Sequence, residues 1–231
     1  MIDIIPANKR HFTNMGWLQT YWLFSFSNYH DPANTNHGSL RVFNDDIVQP
    51  HKGFGIHPHE EMEIVSIVLQ GEMEHKDTMG NINRIRQNDV QRMTAGTGLQ
   101  HSEWNHADRP VHFFQIWIMP DTPGLKPSYD QKNFSPEAWR NSLTLLASNN
   151  GNEDIVSLNT DARFYRAALD AGKSVDFSPQ QSRHQFLYVI DGSATVNGQE
   201  LNRRDQARIG KETSLTIGAS TNTDLILIDN P

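Results

Sequence analysis

Two histidines stand two residues apart in "GFGIHPHEEMEI" (residues 53–64), and Glu63 follows four residues after the second. In a β-strand alternate side chains share a face, about 6.5–7 Å apart. His57 and His59 therefore project side by side, and Glu63 has the same parity if the strand is regular. A second group lies in "AGTGLQHSEWN" (residues 95–105), where His101 and Glu103 repeat the two-residue spacing and Gly96 and Gly98 permit a tight turn before the strand. Two such strands, brought together in a small barrel, converge three imidazoles and a carboxylate. Neutral imidazole and carboxylate suit divalent iron, manganese, cobalt, nickel, copper or zinc, and sites of this kind with open positions are the oxygenase type. Calcium prefers all-oxygen ligands.

A single His-x-His pair is more often a surface or core pair than a metal site. The distribution of histidine adds weight: of 11 histidines, ten lie at or before His112 and only His184 lies after it. His75, His106 and His112 read as non-ligands, and His11, His30, His37 and His51 as solvated residues among polar or turn neighbours. No Gly-x-Ser-x-Gly elbow surrounds Ser102, which on a strand points away from His101 and Glu103, so "HSE" does not indicate a serine hydrolase.

The elements that must position these groups are strands. "SLRVFNDDIV", "EIVSIVLQGEMEH", "VHFFQIWIM", "QFLYVIDGSATVNG" and "TDLILID" are rich in β-branched and aromatic residues and bounded by turn formers. "TMGN" (78–81) and "VNGQ" (196–199) read as hairpin tips. The best helical candidate is "SPEAWRNSL" (135–143), with Ser135 as N-cap and Pro136 in the first turn. The proline-punctuated segment around 120–140 reads as a linker.

A weak internal repeat supports two halves. "IVLQGEME" (67–74) resembles "YVIDGSAT" (188–195), with Gly71 opposite Gly192, and each is followed by a hairpin tip and an Asp-led strand, "NDVQRM" and "RDQARI". On that alignment His57 and His59 fall opposite Ser178 and Gln180, and nothing like "HSE" follows Asp205. A scaffold requirement would place the histidines in both halves, so the cluster reads as functional. The aromatic run "WLFSFSNY" (22–29) reads as core and barrel-edge packing rather than as a pocket wall.

The chain has 231 residues, 36% of them hydrophobic and 20% charged, enough for one large or two small domains. The net charge of −7, without a long basic run, argues against direct nucleic-acid binding. The absence of cysteine excludes disulfides, thiolate nucleophiles, zinc fingers and cysteine-held clusters. No window approaches the ~18 apolar residues of a membrane span. "MIDIIPANKRHF" lacks the features of a signal peptide, so a cytoplasmic location is expected.

"GFGIHPHEEMEIVSIVLQGEMEHKDTMGN" and "MTAGTGLQHSEWN" resemble the two cupin motifs in the form found in pirins, and "GWLQTYWLFSFSNYHDP" and "LRVFNDD" resemble the pirin N-terminus. The likeness covers roughly residues 10–130. It implies an all-β bicupin, two jelly-roll barrels with few short helices: 1–130 metal-binding, 131–231 without a metal site. It further implies one divalent metal, Fe(II) above the others, held by His57, His59, His101 and Glu103, with Glu63 orienting a ligand histidine from behind. Bacterial members of the family imply a quercetin 2,3-dioxygenase-like activity: oxygen-dependent ring opening of a flavonol or related polyphenol with release of carbon monoxide, Glu103 taking the hydroxyl proton. The rival implied by eukaryotic pirins is a non-catalytic metal- or redox-sensing protein that acts through a protein partner.

Overall fold

The alternating apolar runs do form strands, and the helical candidate shrinks to a single 3-10 turn in this computed structural model, which describes residues 1–231. That turn spans Pro136–Trp139, and the Ser135 hydroxyl accepts the Glu137 amide as its cap. Asn141, at φ 52°, prevents the segment from continuing. No helix is long and apolar enough to cross a membrane.

The chain divides into two compact units that are not consecutive halves. One comprises His11–Phe134 with Asn149–Asp161; the other comprises Met1–Arg10, Ser135–Ser148 and Ala162–Pro231. In the first, a long antiparallel sheet runs in the order Ser128–Asn133, Asp89–Thr94, Glu63–Gln70, Val111–Ile118, Leu40–Val48, Leu18–Trp22, His11–Asn14. A four-stranded sheet, Lys52–His59, Leu99–Asn105, Glu72–Asp77, Ile82–Arg86, completes it. The second unit repeats the plan. Its long sheet contains Ile2–Ile5, Gln206–Gly210, His184–Asp191, Thr223–Asn230, Arg163–Leu169 and Thr144–Ser148, and its four-stranded sheet runs Ser174–Phe177, Leu215–Ala219, Ser193–Val196, Gln199–Asn202. This is the expected all-β bicupin architecture.

The expected boundary near residue 130 falls inside a strand. Ser128–Asn133 pairs along its length with Asp89–Thr94, so the segment read as a linker ends in sheet. Its side chains are half-buried and polar because it is an edge strand, and Pro127 precedes it where a ladder amide is not required.

The internal repeat is repeated in backbone geometry. Gly71 and Gly192 both have φ 81°, and a Cβ at either would collide with backbone, 2.9 Å from Pro110 O in one barrel and 2.1 Å from Asn222 O in the other. Asp89 accepts the Arg86 amide (2.7 Å) and Asp205 accepts the Asn202 amide (2.8 Å), the same three-residue clasp before each Asp-led strand. Gly192→Ala is expected to cost more than about 1 kcal/mol, because the left-handed φ and the carbonyl contact both oppose a side chain. An unchanged urea midpoint would contradict this.

The cores differ. In the second unit one cluster runs through Leu187, Val189, Val196, Leu201, Leu215, Ile217, Leu225 and Leu227. In the first, apolar residues gather around Val68, Met73, Ile85 and Phe113, and separately around Ile64, Met93 and Leu99.

Candidate metal centre

Strand Lys52–His59 pairs antiparallel with Leu99–Asn105, with Leu99 opposite His59 and His101 opposite His57. A register shift between His101 and Glu103 then sets Glu103 opposite Phe54. The result brings one ligand atom from each of His57, His59 and His101 within 4.8 Å of the others. Their ring centroids are 4.8 Å (57–59), 4.4 Å (57–101) and 4.8 Å (59–101) apart. Glu103 is not in that group. It shares a second one, of the same tightness, with His101 and His75.

The donors suit a cation. His57 Nδ1 lies 2.7 Å from the Gly55 carbonyl, to which only an N–H can bond, so its Nε2 is left as the free lone pair. His59 Nε2, His101 Nε2 and Glu103 Oε1 are buried and have no hydrogen-bond partner. Buried polar atoms are nearly always satisfied, and three orphans among the four expected ligands are what a nitrogen- and oxygen-binding divalent metal would satisfy. Burial, reinforced by the neighbouring imidazoles, pulls His59 down to about 4 and His101 down to about 3. Both therefore stay neutral, with a lone pair available, across the physiological range.

Residues the sequence reading missed complete the surroundings. Gln115 Nε2 donates to Glu103 Oε2 (2.8 Å), which fixes the carboxylate and leaves Oε1 free. Asp46 is buried nearby; burial and the Asp45 and Glu103 carboxylates push it up to about 8. His75, read as a bystander, is buried against the centre, its Nδ1 3.4 Å from His101 Nδ1 and its Nε2 3.0 Å from Asp77 Oδ2. Burial pushes Asp77 up, yet hydrogen bonds from Asn81 and His75 hold it below the usual carboxylate range. The signal for His75 was alternation in "EMEHKD": Met73, buried in the core, has the same parity. Gln115 had a similar signal, a polar residue at an inward position of "HFFQIW".

The aromatic run is mainly packing, since Trp22, Leu23 and Phe24 are buried. One member reaches further: Phe26 packs edge-on to Trp117 (5.3 Å), whose ring lies 5.0 Å from His59. His11 stacks on Tyr29 at 4.3 Å rather than standing in solvent. His51 is exposed beside Asp108, His106 bonds Glu74, and His112 bonds Asp45 at 2.6 Å.

Glu63 does not orient a histidine. Its Oε2 accepts from Thr94 Oγ1 (2.9 Å), its Oε1 accepts from the Asn159 amide (3.1 Å), and Arg92 Nε is 3.4 Å away. The reason is a break in parity: Glu61 takes φ 47°, ending the His57–His59 strand, and Glu63 opens the next strand in the other sheet.

The second barrel has apolar residues at the corresponding places. Aligning Gly71 with Gly192 sets His75 at Val196. The strand pairings then set Glu103 at Ile217, His101 at Leu215 and Gln115 at Leu227. Opposite Leu215 stands Phe177, so the His57 position is Phe177, one residue from the Ser178 given by counting from the glycine. The connection to the next strand is one residue longer in the second barrel, from Phe177 to His184 against His57 to Glu63, and this accounts for the offset.

Beside His59 opens a cleft of about 720 Å³, lined by Pro58, Glu60, Thr78, Thr97, Leu99 and Gln100 among others. Its size is in the range of small-molecule sites.

Fold and site together define a bicupin whose first barrel carries a histidine-rich centre of a metal-binding type. The pirin family model matches residues 6–118, and a quercetinase C-terminal cupin model matches residues 145–229. A quercetin 2,3-dioxygenase of Escherichia coli K12 is 36% identical, aligned over 100% of this chain and 99% of its own length. A pirin-like protein of Caulobacter vibrioides is 40% identical, over 99% of both. The crystal structure of the Escherichia coli pirin YhhW in complex with nickel(II) superposes with a TM-score of 0.95 at 35% identity, covering 100% of this chain and 99% of that one. The chain belongs to the pirin family.

Proposed function

We propose that this protein is a cytoplasmic metal-dependent dioxygenase that opens the central ring of flavonols such as quercetin, with His57, His59, His101 and Glu103 as the ligands. The observation that carries the reading is the set of three buried, unpartnered donor atoms on the expected ligands, beside a cleft of small-molecule size. The name of the Escherichia coli relative supports the substrate class. Iron(II) is the metal that the family likeness favours, and nickel(II) is the one in the Escherichia coli structure.

When bound, the metal supplies a Lewis acid that orients an enol-bearing ligand and helps pass electrons to oxygen. The chain does the rest. His59 and His101 remain neutral, so neither must lose a proton before binding. Glu103 Oε1 takes the proton of the substrate hydroxyl while Gln115 holds Oε2 still. Thr78, Thr97 and Gln100 offer hydroxyl and amide groups to a polyphenol's rim. Both oxygen atoms of O₂ enter the opened product and one ring carbon leaves as carbon monoxide, so no external reductant is required.

The test is flavonol turnover with carbon monoxide detection, with and without oxygen, on protein loaded separately with iron, manganese, cobalt, nickel and copper. Oxygen-dependent cleavage that disappears in His59→Ala is expected. Tight metal binding without turnover in any metal form would overturn the enzyme reading and favour the regulatory one.

A further inference from the structure

We propose that His75 and Asp77 form a relay that selects which nitrogen of His101 is free to bind metal, so that a hairpin tip on the outer part of the barrel governs metal affinity. The inference rests on the ligand set proposed above and deepens it. It follows from donor and acceptor bookkeeping along one buried line of side chains.

Asp77 is the fixed end. Its Oδ1 accepts the amides of Met79 (2.9 Å) and Asn81 (3.1 Å), and its Oδ2 accepts Asn81 Nδ2 (2.8 Å). These three bonds come from the turn between strands Glu72–Asp77 and Ile82–Arg86. A carboxylate so held can only accept, so His75 Nε2, 3.0 Å from Oδ2, carries its hydrogen. His75 Nδ1 is then a bare acceptor. It faces His101 Nδ1 at 3.4 Å, so His101 must carry its hydrogen on Nδ1. That leaves His101 Nε2 as the lone pair.

A separate observation agrees: Nε2 is the nitrogen of His101 that is buried without a partner. Tyr129, its ring 5.0 Å from that of His75, packs the relay from the far side. The second barrel carries neither end of the contact, since Val196 and Leu215 occupy the places of His75 and His101. A histidine ligand whose other nitrogen is bonded to an outer partner is the usual way proteins fix tautomer and raise ligand basicity. Here the partner is a second imidazole, and the carboxylate stands one step further out. His75 and Asp77 are thus positioning residues.

Asp77→Asn inverts the line without changing its volume. The two backbone amides at the Oδ1 position require an acceptor, so the carbonyl of the substituted side chain stays there, its NH₂ takes the place of Oδ2, and the Asn81 side chain turns over to present its carbonyl to that NH₂. His75 Nε2 must then accept, His75 Nδ1 donates, and His101 is driven to carry its hydrogen on Nε2.

The experiment has two readouts on wild type, Asp77→Asn, Asn81→Ala and His59→Ala. Histidine ¹⁵N resonances of the metal-free proteins report tautomer, and competition with a chelator reports nickel(II) affinity. Expected for Asp77→Asn are a switch of the His101 hydrogen from Nδ1 to Nε2 and a loss of about 10–100-fold in nickel affinity. Asn81→Ala, which leaves the carboxylate but loosens it, is expected to lose affinity in the same direction and carries the test if Asp77→Asn does not fold. Nickel binding that survives His59→Ala undiminished would bring down the ligand set itself. Binding lost in His59→Ala but unchanged in tautomer and affinity in Asp77→Asn, or unchanged in Asn81→Ala where that variant carries the test, would overturn the relay alone.

Discussion

Glu103→Gln is expected to lower flavonol turnover by about 10²–10⁴-fold, the range lost when a positioned general base is removed. The substitution is close to isosteric, and the reason it fails is directional. Gln115 Nε2 donates to Oε2 at 2.8 Å, so the new amide must turn its oxygen that way. Its NH₂ then occupies the place of Oε1, presenting hydrogens where the proposed centre needs a lone pair for both the metal and the substrate proton. Metal content and turnover should be measured together. A variant that retains metal but has lost kcat assigns Glu103 to proton transfer, whereas one that loses metal assigns it to ligation. Turnover within tenfold of wild type would remove Glu103 from both roles.

Arg92→Ala is expected to destabilise the first barrel by about 3–5 kcal/mol, the cost of leaving a buried charge without its partner. Arg92 lies 3.4 Å from Glu63, and both side chains are almost wholly buried. Its guanidinium also donates to the Ser157 carbonyl (2.7 Å), Thr94 Oγ1 (3.0 Å) and Ser128 Oγ (2.6 Å). Removing it strands the Glu63 carboxyl, which burial already pushes above the usual range and which Arg92 pulls down. The expected fall in thermal midpoint is about 6–20 °C for a chain of this size. Glu63→Gln added to Arg92→Ala should recover much of the loss, because the stranded group is then neutral. A melt of the single variant within about 2 °C of wild type would contradict the network's importance.

Much of the architecture was legible in the sequence because the pleat has a period of two and glycine marks its turns. The pairing of Gly71 with Gly192, the two hairpin tips and the Asp-led strands all carry local signals that the backbone realises. The three histidines were legible for the same reason: two residues of spacing is one face of a strand. Glu63 was misread because parity passes no information across a broken strand, and Glu61 at φ 47° has no marker in its residue type. His75 and Gln115 come to the centre from strands paired at long range, so alternation marked them as inward-facing but could not place them beside the histidines. The segment 128–133 escaped because an edge strand buries little, and its polar residues resemble a loop.

The interleaving of the two units has a consequence for synthesis on the ribosome. Ile2–Ile5 pairs with Gln206–Gly210, Ile2 opposite Ile209. At about 5–20 residues per second, the first strand emerges some 10–40 s before its neighbour exists. Throughout that interval the apolar Ile2–Ile5 segment has no sheet to join, while His11–Phe134 can already begin to pair within itself. The first barrel still waits for Asn149–Asp161, whose Asn159 amide closes on Glu63. The barrel with the histidines is thus placed to finish first, and Ile2–Ile5 has the longest wait of any strand for its partner.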